Sequence, residues 1–334
     1  MDTEETSGLC GEISSFLTDN GISNTICTCC HGLAIRVQGF PSVIPVTITA
    51  ESEDIATAVR MDTESMIMAE SSPAPVGTCQ RPIIIASDRW IREGDCIRRR
   101  LLAHYGRFSH IFARNCHVEK ITRGTAAAFM DSWHSYGDAT CKYRYGLFLD
   151  KAFQDQFHSF PEGTMIAAAT FSNGRFMERD GKLWRSYQWI RYASFPDTRV
   201  SGGMGKIMKH FMRSCGFGED IPLEIVGKAV SESSGDRFGG WDIMSYADLE
   251  WSGGGAYASL GFRDEGLKAP VMYRIDPSTW SRTPVFRTKD GPVPTGGYLY
   301  FENFGSTRFR IEVPYVSTEY GNGRQESMTG NTQA

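Results

Sequence analysis

The stretch from residue 187 to residue 211 constrains the fold of this chain more than any other part of the sequence. It begins with aromatic and β-branched residues, which predict a strand, and a proline–aspartate pair at Pro196 ends that strand. A glycine-rich turn occupies residues 200–206, and apolar residues then recur at helical spacing from Ile207. A strand, a glycine turn and a helix in this order direct backbone N–H groups at one point, where the helix dipole favours negative charge. The sequence therefore predicts an anion-binding loop.

The spacing of the loop residues indicates which kind of loop this is. The phosphate loop of nucleotide-binding proteins requires Gly where Val200 stands and Ser or Thr where Ile207 stands, so that assignment fails. Gly203 and Gly205 instead match the acetyl-CoA loop Q/R-x-x-G-x-G/A of the GNAT acyltransferases, although Val200 replaces its leading Gln or Arg. A plain tight turn is the alternative. In this resemblance the acyl-CoA-binding residues are Val200, Ser201, Gly202, Gly203, Met204, Gly205 and Lys206.

A second partial motif lies downstream, after a predicted strand. Tyr257-Ala-Ser-Leu-Gly-Phe262 resembles the end of the GNAT signature N-x-x-A-x-x-x-Y-x-x-x-G-F, with Glu250 at its Asn position and Gly253 at its Ala position. The same turn contains the dinucleotide-binding pattern G-x-G-x-x-A, but Gly261 shortens the following helix and no second βαβ unit flanks it. Two partial motifs in the expected order favour the GNAT resemblance.

The predicted order of elements agrees with that resemblance. Strands are expected at residues 143–149, 164–171 and 187–195, followed by the glycine loop, a helix, a strand from Ile243, a short helix and a strand at 269–275. The resemblance implies an α/β fold of mixed α+β type, with a central mixed twisted sheet flanked by helices. It also implies that the strands at Tyr187 and Ile243 are parallel neighbours that splay apart at one end.

The resemblance further implies acyl transfer from acetyl-CoA, or a related acyl-CoA, to an amine acceptor. Tyr257 would protonate the departing thiolate; packing of an aromatic ring is its alternative role. Asp248, and after it Glu250, would take a proton from the acceptor ammonium, because both lie near the end of the strand before Tyr257. Lys206 would add charge to the loop or remain solvated. His134, at a predicted helix end, would either bond the last carbonyls or contact the acceptor.

Composition limits the other classes of function. A net charge of −4 over 334 residues argues against a protein that binds polyanions over its whole surface. No apolar run reaches the roughly 20 residues of a membrane span, and the acidic start resembles neither a secretory signal nor a transit peptide. We therefore expect a soluble intracellular protein, in the cytoplasm or nucleus, without a membrane partner. Nine cysteines, an odd number, favour reduced thiols.

The first 80 residues carry few motifs. A helix is expected near residues 13–17 and one or two strands within 33–48, whereas residues 51–78 predict a linker or mobile loop. Cys27, Cys29, Cys30 and His31 resemble half of a zinc site, but a second ligand pair is missing. No metal is therefore expected.

Residues 81–110 contain an apolar strand and then a helix that Ser87 or Asp88 would cap. This helix is the most basic part of the chain, and it predicts either a solvated face or a weak nucleic-acid contact. The arginines concerned are Arg92, Arg98, Arg99 and Arg100. The segment also resembles the connecting region of phage-type proteins, in which a very-short-patch-repair-type nuclease module precedes a GNAT-like module. The residues that carry this resemblance are Asp88-x-Trp90, the run Ile97-Arg98 to Leu101, and residues 111–116.

These observations divide the chain into five parts. Residues 1–80 form a partly flexible N-terminal region of unknown role, and 81–110 a basic helical connector. Residues 111–280 form a GNAT-like acyltransferase domain with an insertion at 214–240, 281–318 a C-terminal β-hairpin, and 319–334 a disordered tail. The rival hypothesis is a catalytically inactive GNAT-like binding module, associated with nucleic acid. Val200, Glu250 and the insertion favour that rival.

Overall fold

The computed structural model describes residues 8–29, 32–71, 81–218, 238–285 and 297–315. In these segments the helices are α1 (Leu9–Asp19), α2 (Glu53–Glu70), α3 (Ser87–Arg92), α4 (Gly94–His104), α5 (Arg123–Trp133), α6 (Gly203–Ser214) and α7 (Gly255–Ser259). The first strands are β1 (Thr25–Cys29), β2 (Gly32–Arg36), β3 (Val43–Val46), β4 (Ile83–Ala86), β5 (Ser109–Phe112), β6 (Cys116–Lys120), β7 (Tyr143–Leu149), β8 (Phe153–Gln154), β9 (Ser159–Phe160) and β10 (Met165–Phe171). The later strands are β11 (Arg175–Arg179), β12 (Lys182–Ser194), β13 (Thr198–Ser201), β14 (Phe238–Asp248), β15 (Arg263–Lys268), β16 (Met272–Asp276), β17 (Ser281–Pro284), β18 (Leu299–Glu302) and β19 (Ser306–Pro314).

The main sheet has the strand order β15-β19-β14-β12-β10-β7-β6, with β11 folded back on β12. Helix α6 packs on one face, where Phe211 stacks on Phe171 with ring centroids 4.0 Å apart. Helix α5 covers the other face through Ala126 and Met130, which pack against Ala168. The fold is therefore of mixed α+β type, with a sheet-rich core flanked by helices, and the predicted fold class is confirmed.

The parallel pair β12 and β14 separates at one end. Their pairing runs from Leu183 opposite Phe238 to Gln188 opposite Met244, and it stops there. Beyond that point β12 continues to Ser194 and β14 to Asp248. The expected parallel neighbours that splay at one end are thus confirmed.

A second sheet, with the order β1-β2-β3-β4, forms the N-terminal layer. The sequence predicts a linker or mobile loop at residues 51–78, but α2 occupies most of that range, so this prediction is wrong. Ser52 begins the helix by accepting a hydrogen bond from the Ile55 N–H, and Met66 and Ile67 bury one helix face against the sheet. Serine, threonine and methionine mask the apolar spacing in the sequence, whereas tertiary packing stabilises the helix. Residues 72–78 lie outside the described residues.

The basic helix of residues 81–110 also differs from its prediction. It is two helices, α3 and α4, divided at Glu93. Neither expected cap is used, because the Ser87 hydroxyl accepts the Ile48 N–H at 3.0 Å and the Asp88 carboxylate pairs with Arg282. Both side chains thus bind other segments of the chain.

The predicted C-terminal hairpin does not form. Strand β18 pairs with β16 in a three-stranded sheet, β17-β16-β18, whereas β19 joins the main sheet between β14 and β15. The reason is register: β19 pairs with β14 from Gly240 opposite Pro314 to Asp248 opposite Ser306, which satisfies more backbone groups than a short hairpin would. The tail at 319–334 and most of the expected insertion, 219–237, lie outside the described residues.

Candidate functional site

A cavity of about 610 Å³ occupies the gap where β12 and β14 separate. Its walls come from both splayed strands, from the start of α6 and from the turn that follows α5. Met204, Asp248 and Tyr257, three residues that the sequence predicted separately, line this one cavity. The fold therefore brings the glycine loop and the downstream motif together.

The glycine loop leads into the first turn of α6. Gly202 takes a left-handed conformation with φ of 78°, which a β-carbon would disfavour, and it provides no side-chain cap for the helix. The first backbone bond of the helix runs from the Lys206 N–H to the Gly202 carbonyl at 2.9 Å. The N–H groups of residues 203–205 therefore lack partners within the helix, as expected at an N-terminus. Parallel pairing of β13 with β5 holds the loop in place.

The two motif glycines serve packing inside the loop. A β-carbon on Gly203 would lie 3.0 Å from Val200 Cγ1 and 3.2 Å from the Tyr192 hydroxyl, and one on Gly205 would lie 3.1 Å from Leu260 Cδ2. Substitution of either glycine would thus disturb the loop itself.

The Lys206 side chain is engaged by the protein. Its ammonium donates hydrogen bonds to the carbonyl oxygens of Ala113 and Cys116, which precede and begin β6. Lys206 therefore ties α6 to the edge of the main sheet.

Tyr257 lines the cavity at the start of α7. The Ser245 hydroxyl reaches two acceptors, the Tyr257 hydroxyl oxygen at 2.8 Å and the Trp189 carbonyl oxygen at 3.0 Å. When Ser245 donates to Tyr257, the Tyr257 proton is free to point into the cavity. Burial raises the pKa of Tyr257, and the Ser245 hydrogen bond opposes that rise. The ring also stacks on Phe309 with centroids 5.4 Å apart, so Tyr257 packs and faces the cavity at once.

The two predicted bases are already bound by other groups. Asp248 Oδ1 accepts the Glu250 N–H at 3.0 Å, and its Oδ2 accepts the Tyr136 hydroxyl at 2.9 Å. Glu250 is 0% exposed and does not line the cavity; its Oε1 lies 3.1 Å from Arg282 Nη1. Burial raises the pKa of Glu250, and Arg89 and Arg282 oppose that rise. Glu250 is thus part of a buried ion network, and Asp248 shapes the turn after β14.

His134 ends α5 and lines the same cavity. Its backbone N–H donates to the Met130 carbonyl at 2.8 Å, and its ring Nδ1 accepts the Tyr136 N–H at 3.1 Å. Burial lowers the pKa of His134 to about 3, helped by Arg191 and other nearby guanidinium groups. The ring is therefore neutral, with its proton on Nε2. It bonds a turn amide rather than the last helix carbonyls.

Three of the four arginines that the sequence assigned to a nucleic-acid contact bind protein groups, and the fourth, Arg92, is exposed. Arg98 lies over the Trp90 ring at 4.5 Å, Arg99 pairs with Asp197 at 3.0 Å, and Arg100 lies over a ring at 4.1 Å. That ring belongs to Trp251. The expected nucleic-acid face therefore has no support from the positions of these side chains. Arg100 instead lines the cavity between the splayed strands.

Sequence reasoning missed a buried ion network beside the cavity. Arg282 binds Asp88 through two nitrogens and reaches Glu250, while Arg89 Nη1 lies 3.5 Å from both Asp248 Oδ2 and Glu250 Oε2. Asp88 and Arg282 are 194 positions apart in the chain, so no local spacing could have revealed the pair.

The described segments contain neither a metal-binding cluster nor a membrane-spanning helix. Within them, no group of three or more His, Cys, Asp or Glu residues is arranged to hold a metal ion; Cys30 and His31 lie outside them. Among the described helices, none combines the length and apolarity needed to span a membrane.

Comparison with known families and curated proteins gives no match to this chain. The solved structures that are similar to it include two acetyltransferase-related proteins. One is a histone acetyltransferase HPA2 and related acetyltransferase from Corynebacterium glutamicum, at 10% identity and a TM-score of 0.29, covering 61% of this chain and 99% of that one. The other is a mutant AtaT toxin bound to the C-terminus of the antitoxin AtaR and acetyl-CoA, at 14% identity and a TM-score of 0.24, covering 56% of this chain and 93% of that one.

Proposed function

We propose that the protein is an acyl-CoA-dependent N-acyltransferase that transfers an acetyl group from acetyl-CoA to an amine. The observation that supports this most is the cavity between the splayed ends of β12 and β14, which connects the open first turn of α6 with Tyr257. A thioester needs an anion-binding point for its pyrophosphate, a channel for its pantetheine arm and a hydrogen-bond donor near its sulfur. This cavity offers the three along one path.

The donor would bind mainly through backbone groups. The N–H groups of residues 203–205 would face the pyrophosphate, where the helix dipole adds positive potential. Beyond Gln188 and Met244 the facing edges of β12 and β14 no longer pair with each other. Their N–H and carbonyl groups would bind the pantetheine amides as an added strand would.

The chemical step requires the acceptor amine to attack the thioester carbonyl and the CoA thiolate to leave. Tyr257 would donate its proton, or a hydrogen bond, to that sulfur. Its raised pKa keeps the phenol protonated at neutral pH, so that it enters the reaction as a donor. The acceptor ammonium must first lose a proton: Tyr136 would take it while passing its own proton to Asp248 Oδ2, which the Tyr136 hydroxyl already binds.

A charge placed in the first turn of α6 tests the donor site. Met204 lines the cavity at the second position of that helix. We expect Met204→Glu to bind acetyl-CoA at least about tenfold more weakly than the uncharged control Met204→Gln, because a carboxylate there repels the pyrophosphate. A negative charge is favourable at a helix N-terminus, so the thermal stability of Met204→Glu should equal or exceed that of Met204→Gln.

Calorimetric titration of the full chain with acetyl-CoA provides the measurement. Equal affinities of the Glu and Gln variants would place the pyrophosphate elsewhere. No saturable heat with the unmodified chain would contradict the proposed function. If the chain binds acetyl-CoA but releases no CoA thiol with any amine, it is the inactive binding module. One observation favours that alternative: the carboxylates of Asp248 and Glu250 are already bound by other protein groups.

A further inference from the structure

A second and larger cavity, of about 950 Å³, lies next to the first. Both cavities share the turn His134–Ser135–Tyr136 and the Tyr273 side chain as walls. The rest of the second cavity is built from α3, the start of α4, the end of α5 and β17. An acceptor held there would border the donor cavity at these shared residues.

The charged side chains that line the second cavity carry more negative than positive charge. The lining carboxylates are Asp88, Glu93, Asp95, Asp131 and Asp138, and the lining guanidinium groups are Arg89, Arg92 and Arg282. A cation that entered the cavity would offset this excess.

Glu93 forms no ion pair with either of the buried guanidinium groups, Arg89 and Arg282. Arg282 reaches Asp88 and Glu250, and Arg89 lies 3.5 Å from Asp248 and Glu250. The buried Oε2 of Glu93 has no hydrogen-bond partner among the described residues, and Glu93 lines the cavity. Although Glu93 stands at the N-cap of α4, its side chain does not cap that helix. Buried carboxylate oxygens ordinarily have partners, and a ligand that donates hydrogen bonds would satisfy this one. The three nitrogens of Arg89 are likewise buried without hydrogen-bond partners among the described residues.

We propose that the second cavity is the acceptor site and that Glu93 binds the ammonium group of the acceptor there. The assignment of the bound amine as the acceptor rests on the proposed function. The binding of a cation by Glu93 does not, because it does not require the donor. The ligand class is a primary amine that is protonated in solution. Such a group donates three hydrogen bonds, and its positive charge would offset the excess of carboxylates that line the cavity.

The ionisation of Glu93 makes this binding depend on pH. Burial raises the pKa of Glu93, and Arg89 and Arg282 oppose that rise. The other charged or titratable groups that face it are Asp88, Arg92 and Cys96. Only the ionised carboxylate attracts an ammonium, so affinity should increase as pH rises from about 5 to about 7, above the usual range of glutamate. A glutamine at position 93 should remove that dependence.

Calorimetric titration of the full chain with 1,4-diaminobutane, in the absence of acetyl-CoA, tests the proposal. The neutral isostere 1,4-butanediol serves as the ligand control. We expect saturable binding of the diamine and none of the diol, and at least about a tenfold weaker diamine affinity in Glu93→Gln. The exposed Asp95 also lines the cavity, and Asp95→Asn should stay within about twofold of the unmodified chain.

Each outcome bears on the proposal. Unchanged diamine affinity in Glu93→Gln, or no diamine binding by the unmodified chain, overturns it. Should Glu93→Gln fold poorly, the pH dependence of the unmodified chain decides: affinity that does not increase from about pH 5 to about pH 7 overturns the proposal. A sample that binds acetyl-CoA and not the diamine contradicts this inference alone. A sample that binds the diamine through Glu93 and not acetyl-CoA supports it and contradicts the donor assignment.

Discussion

A side chain that a motif singles out can act only if its polar atoms face the ligand. Tyr257 satisfies this condition when Ser245 donates to its hydroxyl, since the Tyr257 proton is then left for the cavity. Asp248 does not, since both of its oxygens are bound by the turn amide and by Tyr136. Glu93, which no motif marks, has an oxygen without a partner. The hydrogen-bond partners of these side chains therefore favour Tyr257 and Glu93 over Asp248 as groups that contact a ligand.

The role of Tyr257 can be separated from its packing by Tyr257→Phe, which keeps the ring and removes the hydroxyl. We expect the rate of CoA thiol release from acetyl-CoA, with 1,4-diaminobutane as acceptor, to fall about a hundredfold. Acetyl-CoA affinity should change by less than about threefold, and the free energy of unfolding should fall by no more than about 1.5 kcal/mol. An unchanged rate would leave Tyr257 with a packing role only.

Two elements determine where the site lies. The splay of β12 and β14 opens the cavity, and α6 presents its first turn to one end of that cavity. The hairpin between β11 and β12 depends on Asp180 and Gly181, whose φ angles of 49° and 72° fit a tight two-residue turn. That turn directs β12 back along the sheet to its parallel partner β14.

Helix α6 is anchored at its start by Lys206, which suggests a test at the level of the element. We expect Lys206→Met to lower the free energy of unfolding by about 1–3 kcal/mol, because two carbonyl oxygens lose their charged donor. Acetyl-CoA affinity should change by less than about threefold, since the ammonium binds protein carbonyls. Urea unfolding and calorimetry measure the two quantities, with the exposed Lys209→Met on the same helix as control. Lost affinity at unchanged stability would assign Lys206 to the phosphate instead.

Across the whole molecule, the cavity walls come from distant parts of the chain. Arg89 of α3 and Arg282 of β17 line the second cavity, although the sequence assigned them to a connector and to a C-terminal extension. The segment after β14 also joins the two sheets, because the Ile84 N–H donates to the Glu250 carbonyl at 2.8 Å. The two cavities therefore depend on the N-terminal layer as well as on the main sheet. The division into five parts itself stays a prediction.

The sequence predicted those parts of the fold that local patterns encode. The strand, the left-handed Gly202 and the helix of residues 187–214 follow from neighbouring residues. Strand partners separated by long stretches of chain were missed, as in the pairing of β19 with β14. For the same reason the ion pair of Asp88 with Arg282 was invisible. The candidate bases failed because spacing reports position and does not report which groups already bind a carboxylate.

The central claim is that acetyl-CoA binds between the splayed strands with its pyrophosphate at the start of α6. Amide hydrogen exchange of the full chain, with and without saturating acetyl-CoA, tests it most directly. We predict slower exchange in peptides that cover residues 189–194, 200–206 and 245–248, because these segments contain the N–H groups that would bind the donor, and unchanged exchange in β1–β4. Saturable binding that leaves the exchange of these three segments unchanged would contradict the account.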